Sequence, residues 1–407
     1  MRKIKILILV ATSVVIAIII FAPEDGGVDG LGDPYYPGLG NVGYDVQHYT
    51  IDLTVDVETN TIAGIVTIEA LATQNLSAFN LDLLGLEVSD LAINDTAAEF
   101  SRDGRELTIT PATAIGAEET FTVVVSYSGI PGQSVDDAIL HVGPGWVNYG
   151  NGIYAADEPG GAATWFPVND HPLDKATYTI RVTVPQPYIV ASSGLLQETV
   201  VNGNMTTYVW ETTYPMASYL VALNIGELAE VTAEGPDGLP IRSFFPPDLV
   251  DAAEDVFAPM PDMIAFFSEL FGPYPFEAYG VVVADAEMGF AMESQTLSLF
   301  GSETLEPGSW ERAGGAEYVV AHELAHQWFG NSVSPASWND IWLNEGFASY
   351  AQLLWMEHSR GEDQFYGYLT GWYNYINNPE AGTVFPPPGD PGPAELFNRS
   401  VYLRGAD

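Results

Sequence analysis

Residues 49–57 read Tyr49-Thr50-Ile51-Asp52-Leu53-Thr54-Val55-Asp56-Val57. The alternation is strict: Tyr49, Ile51, Leu53, Val55 and Val57 fall on one face, and Thr50, Asp52, Thr54 and Asp56 on the other. A strand with one buried face reads this way, because successive side chains point to opposite sides of the sheet. Similar runs recur at residues 61–70, 106–110, 120–127, 177–184 and 206–211, separated by clusters such as Asn202-Gly203-Asn204. A stretch built from short strands predicts an antiparallel β-sandwich or saddle domain, placed at residues 39–240. After Gly235-Pro236-Asp237-Gly238 the period changes. Residues 249–271, 311–329 and 337–358 carry apolar side chains at helical spacing, with a short strand at 279–284 and a Pro/Gly-rich loop at 380–393. Residues 241–407 are therefore expected to form a second, mainly α domain, making the chain multidomain α and β.

Composition narrows the chemistry. The 407 residues carry 54 Asp and Glu against 12 Lys and Arg, a net charge of −42. So acidic a surface repels polyanions, which excludes nucleic acid as a partner. There is no cysteine, so thiolate chemistry and Cys-ligated zinc are out, and six histidines and the carboxylates must supply any transition-metal site. Arg2, Lys3 and Lys5 precede an apolar run at residues 6–22, the pattern of an export signal or a membrane anchor. Residues 1–38 are read as that segment plus a linker. The expectation is an exported chain, anchored or secreted, with its catalytic part on the extracytoplasmic side and membrane contact through this segment alone. Beyond residue 5 the chain has a single lysine, Lys175.

The sharpest signal is His322-Glu323-Leu324-Ala325-His326. Two histidines at i and i+4 lie one turn apart on one helix face, a span that a single zinc ion bridges. Glu323, rotated about 100° from His322, misses the metal and reaches a water beside it, the place for a general base. A catalytic zinc takes three protein ligands, and Glu345, in Trp342-Leu343-Asn344-Glu345-Gly346-Phe347-Ala348 on the next helical segment, is the candidate for the third. A carboxylate among so many apolar neighbours needs a partner.

These motifs resemble the gluzincin aminopeptidases, the aminopeptidase N and leukotriene hydrolase family; the thermolysin type places its third ligand one residue later. Three further stretches are similar to that family. Glu158, twelve residues before Asp170-His171-Pro172 and followed by Lys175-Ala176, resembles its amine-binding Gln or Glu. On its own, Glu158 in a Gly-rich loop reads as a surface carboxylate. Phe290-Ala291-Met292-Glu293-Ser294 resembles the Gly-x-Met-Glu-Asn motif, with Gly289 displaced by one and Ser294 in place of Asn. Val401-Tyr402-Leu403-Arg404-Gly405 resembles the segment that supplies the family's tyrosine.

The resemblance implies a thermolysin-like catalytic domain holding one zinc per chain and acting on peptides with a free N-terminus. Glu158 and Glu293 would bind the α-ammonium, the backbone of Ala291 and Met292 would align the substrate, and Tyr402 would donate to the oxyanion. Family members continue with further helices after the tyrosine, so the catalytic domain is expected to be incomplete. The alternative function is a non-catalytic, exported peptide-binding or scaffold protein. His171 reads as a loop-bracing residue, Trp328 and Phe329 as core, and Lys175 as structural. His48, His141 and His358 show no partner in the sequence, and the sequence leaves the oligomeric state open.

Overall fold

The computed structural model describes residues 30–135, 143–310, 315–377 and 386–406. The apolar run at 6–22 and His141 lie outside the described residues. Among the described residues, no helix is long and apolar enough to cross a membrane.

The N-terminal half is β-rich, as its alternation predicts. Its largest sheet has eight strands in the order Leu195–Asn202, Met205–Glu211, Thr177–Pro185, Tyr44–Asp56, Thr61–Ala72, Thr120–Gly129, Glu87–Ile93 and Thr96–Ala97. Tyr49, Ile51 and Leu53 are fully buried, while Asp52 and Thr54 face water. One pairing departs from the antiparallel expectation: Tyr44–Asp56 runs parallel to Thr177–Pro185, from His48 opposite Thr177 to Thr54 opposite Thr183. Alternation records which face is buried, not the direction of a neighbour more than a hundred residues away. A three-stranded sheet (Phe79–Asp82, Glu106–Thr110, Glu99–Asp103) and a four-stranded one (Ile189–Ser192, Leu223–Gly226, Gly152–Ala156, Gly145–Asn148) complete this half.

A five-stranded sheet serves the helical half, in the order Ala229–Glu234, Pro240–Phe245, Val281–Ala284, Ser298–Gly301 and Ala291–Met292. The Gly235–Gly238 stretch, where the sequence pattern changes, is the turn between its first two strands. The sheet of the second half therefore starts at residue 229, ahead of residue 240. Among the described residues Ala291–Met292 is an edge strand, paired with Ser298–Gly301.

Among the described residues there are six α-helices: α1 Val250–Phe257, α2 Met260–Phe271, α3 Ala316–Ala325, α4 Trp342–Arg360, α5 Glu362–Ile376 and α6 Arg399–Gly405. The single helical segment expected at 249–271 is two helices, because Pro259 lacks the N–H and crowds the preceding turn. Helix α3 is buried from Tyr318 to Ala325 on all its faces, as befits a central helix. One core joins the halves: residues of the large sheet pack in a cluster that also takes in Trp338, Ile341 and Val401. A second lies between the five-stranded sheet and helices α1 to α4.

Candidate active site

Helix α3 carries His322 and Glu323 in its last turn, and His326 closes it, its N–H bonding to the carbonyl of His322. Helix α4 packs beside α3 and brings Glu345 in its first turn. His322 Nε2 and His326 Nε2 lie 3.0 Å apart, and Glu345 Oε2 is 3.1 Å from the first and 3.4 Å from the second. All three are buried or nearly so. Each ring is oriented from behind. His326 Nδ1 donates to the carbonyl of Phe329 at 3.0 Å, which orients the ring and turns Nε2 toward the cluster. His322 hydrogen-bonds Gln352, about two helical turns along α4 from Glu345.

Glu323, Glu293 and Glu158 surround this triad. Burial pushes the Glu323 carboxyl well above its ordinary range; His326 opposes the shift, and Glu293 and Glu345 add to it. Glu158 is raised well above its usual value by burial first and then by Glu293, Glu345 and Glu323. Glu293 is raised by burial, with His326 opposing. For His326 burial disfavours the charged ring, but Glu293 and Glu345 outweigh it and raise the imidazole to about 10. Burial also opposes ionisation of Glu345, yet His326 and His322 hold it at about 2. The field of the cluster thus favours positive charge at the point the three donors share.

Two acceptors confirm a shortage of cations. Oε1 of Glu158 and Oε1 of Glu293 are buried without a hydrogen-bond partner, a costly state for carboxylates. Two nitrogen donors and a carboxylate within 4.8 Å of one another fit the ligand set of zinc, and the two orphaned oxygens fit an ammonium beside it. The sequence-derived ligands His322, His326 and Glu345 therefore come together, with Glu323, Glu158 and Glu293 around them.

Tyr402 arrives on α6. Its ring stacks over His322 at 6.0 Å between centroids, 26° from coplanar, and it hydrogen-bonds Glu345. Burial, then Glu345, Glu158 and Glu293, raise its pKa well above the ordinary phenol value, so it stays a hydrogen-bond donor. Ala291 is half-buried and Met292 buried on the edge strand that leads into Glu293.

The surrounding support includes residues that sequence reasoning missed. Gln327 and Asn331 both donate to the carbonyl of Glu293, at 3.0 and 2.7 Å. The Tyr219 hydroxyl lies between the carbonyl of Gly330 and the side chain of Asn344, at 3.4 Å from each. Gln327 and Asn344 adjoin metal-ligand candidates, a signal that was available; Tyr219 comes from the β-rich half with none. His171 braces a loop as expected, its Nε2 being 3.3 Å from Asp33. Trp328 is core, and its Nε1 donates to the carbonyl of Gly272 at 3.0 Å.

Residues 45–220 match the Peptidase M1 N-terminal domain and residues 258–381 the Peptidase family M1 domain. Aminopeptidase M1 of Arabidopsis thaliana is 27% identical over 336 residues, which are 76% of this chain and 37% of that protein. The chain thus spans well under half the length of that relative. Aminopeptidase N of Acetobacter pasteurianus is 29% identical over 318 residues, 74% of this chain and 88% of that protein. A solved variant of an M1 zinc metallopeptidase from Deinococcus radiodurans, bound to a Tyr-Ser-Ala substrate, matches with a TM-score of 0.80 at 33% identity. That match covers 93% of this chain and 84% of the other.

Proposed function

The chain belongs to peptidase family M1, and from that membership we propose that it is a zinc-dependent aminopeptidase, removing N-terminal residues from peptides that carry a free α-ammonium. The observation that carries the exopeptidase part is the pair of orphaned carboxylate oxygens, on Glu158 and Glu293, beside the His322, His326 and Glu345 donor set. Each charge-assisted contact to an ammonium contributes about 1.5 to 3 kcal/mol, enough for two of them to select the free end of a chain.

A zinc ion held by His322, His326 and Glu345 supplies Lewis-acid polarisation of the scissile carbonyl. The rest falls to this chain's own side chains. Glu158 and Glu293 fix the amino end, and the Ala291–Met292 edge offers main-chain hydrogen bonds to an extended substrate. Glu323, with its raised proton affinity, takes the proton of the attacking water at a carboxylate oxygen and passes it to the leaving amine. Tyr402, kept protonated, donates its hydroxyl hydrogen to the carbonyl oxygen as charge develops there. The alternative of a non-catalytic peptide-binding or scaffold protein is not favoured by the family membership. The basic cluster ahead of residues 6–22 supports export, with the catalytic part on the extracytoplasmic side. Recovery of the chain in the cytosolic fraction of producing cells would count against it.

The test is turnover of an aminoacyl chromogenic substrate and its N-acetylated counterpart. The wild-type chain should cleave the free form and spare the blocked one, and Glu293→Ala should lower kcat/KM for the free form by about one to two decades. Equal cleavage of both forms by the wild type would turn the reading toward an endopeptidase.

A further inference from the structure

Lys175 stands just ahead of the strand Thr177–Pro185 in the β-rich half, yet its ammonium serves the helical half. Nζ donates to the carbonyl of Asn331 at 2.7 Å and to that of Ser332 at 3.1 Å. These carbonyls belong to the turn by which the chain leaves α3 directly after His326. The turn is tied to the helix it leaves, with Asn331 N–H bonding His326 O at 3.0 Å and Ser332 N–H bonding Gln327 O at 3.1 Å. It leaves no slack at Gly330, whose φ is +120°. A Cβ there would meet Asn344 Nδ2 at 3.2 Å and His326 Nδ1 at 3.3 Å.

The same turn grips the substrate side of the site. Asn331 holds the Glu293 carbonyl through Nδ2 at 2.7 Å. Tyr219, also from the β-rich half, meets the Gly330 carbonyl and Asn344, the residue before Glu345. One short turn is thereby linked to His326, to Glu293 and to the start of the helix that carries Glu345.

We propose that Lys175 is a positioning residue of the peptidase site: it pins the Gly330–Ser332 turn so that His326 meets Glu345 and the Glu293 carboxylate meets the substrate ammonium. A cation suits the place. Both carbonyls lie in one short turn, and one ammonium has three donors with which to serve the two of them. The substrate half of this inference rests on the aminopeptidase reading; the metal half does not.

The experiment uses the full chain with Lys175→Met, Lys175→Arg and Asn331→Ala. Lys175→Met keeps the aliphatic stem but leaves two carbonyls without their donor. It should speed zinc transfer to a chromogenic chelator by about ten- to a hundred-fold and raise KM for a free-amino substrate several-fold, with kcat less affected. Lys175→Arg, which still donates to both carbonyls, should restore most of both. Asn331→Ala leaves the Lys175 contacts in place but cuts the tie to Glu293, so KM should rise without faster zinc release. Wild-type zinc release and KM in Lys175→Met would overturn the proposal. Should that variant fail to fold, an unchanged KM in Asn331→Ala overturns it instead. A wild-type chain that binds zinc but cleaves nothing defeats the aminopeptidase reading, while the zinc-release comparison still decides the role of Lys175.

Discussion

Gly346 on α4 and Gly405 on α6 touch backbone to backbone: a Cβ built on Gly346 would lie 2.5 Å from the carbonyl carbon of Gly405 and 2.6 Å from its oxygen. Glycine inside a helix costs about 1 kcal/mol relative to alanine, so its use here needs a return. The return is proximity. Glu345 precedes Gly346 and Tyr402 lies one helical turn before Gly405, so the close crossing brings the phenol onto His322 and Glu345.

Gly346→Ala should therefore push α6 outward. Backbone cannot yield as a flexible side chain would, and Tyr402 should leave its place over His322. Turnover should fall by at least about ten-fold, toward the 10²- to 10³-fold loss of an oxyanion donor, and Tyr402→Phe should show the same direction. Zinc content, set by residues that do not lie on α6, should stay at one per chain. Wild-type turnover in Gly346→Ala would show that the crossing does not position the phenol.

Glu323→Gln preserves the shape of the side chain and removes its basicity. Zinc content should be unchanged while kcat falls by roughly 10²- to 10⁴-fold. Loss of zinc together with activity would mean that Glu323 supports the metal instead of the proton transfer.

Much of this site was written in local sequence. The i, i+4 histidines and the base between them need only one helical turn to come together, and α3 forms where the apolar spacing placed it. Alternation likewise located the strands Glu106–Thr110 and Thr177–Pro185 nearly to their ends, and Tyr44–Asp56 from residue 49 onward. What local pattern could not carry was partnership at long range. Lys175 reaches carbonyls 156 and 157 residues away, and Tyr219 meets Asn344 across 125. The parallel pairing of the first and later strands is of the same kind. Glu158 and Tyr402 were found through family resemblance, because a carboxylate in a loop and one tyrosine among 21 have no local signature.

Asp82 provides a pH test away from the metal. Its carboxyl is raised from 3.8 to about 8, by burial first, with Arg105 opposing and Asp170 adding to the shift. The folded chain therefore keeps a proton that the unfolded chain releases, so this group's contribution is whole below about pH 4 and is lost as pH rises toward 8. Asp82 Oδ2 accepts from the Asp170 N–H at 2.9 Å and from Asn41 at 3.3 Å, while Oδ1 is buried without a partner. Asp82→Asn can keep both bonds and has no charge to bury. Denaturant midpoints measured from pH 5 to 8 should show the wild type losing ground to Asp82→Asn, by at most about 1.4 kcal/mol per pH unit. Parallel pH curves for the two proteins would contradict the raised carboxyl.

The net charge of −42 sets the last expectation. With 12 basic side chains against 54 acidic ones, most carboxylates have only other carboxylates as charged neighbours, and folding gathers them onto one surface. Among the described residues the lysine and arginine ion pairs are Arg105–Asp170, Arg181–Asp52 and Arg360–Glu317, far too few to neutralise that surface. Screening shortens the reach of the repulsion from about 10 Å at 0.1 M salt to about 3 Å at 1 M. The melting temperature should climb steeply as NaCl is raised from 0.01 to 1 M and flatten beyond, once the screening length falls below the spacing of neighbouring charges. KCl at equal ionic strength should give the same curve, because screening depends on ion charge and not identity. Sucrose, which favours the compact state by exclusion from the surface, should raise the melting temperature without that plateau. A melting temperature indifferent to NaCl over this range would mean that the carboxylates are spaced or protonated widely enough for their repulsion to cost little.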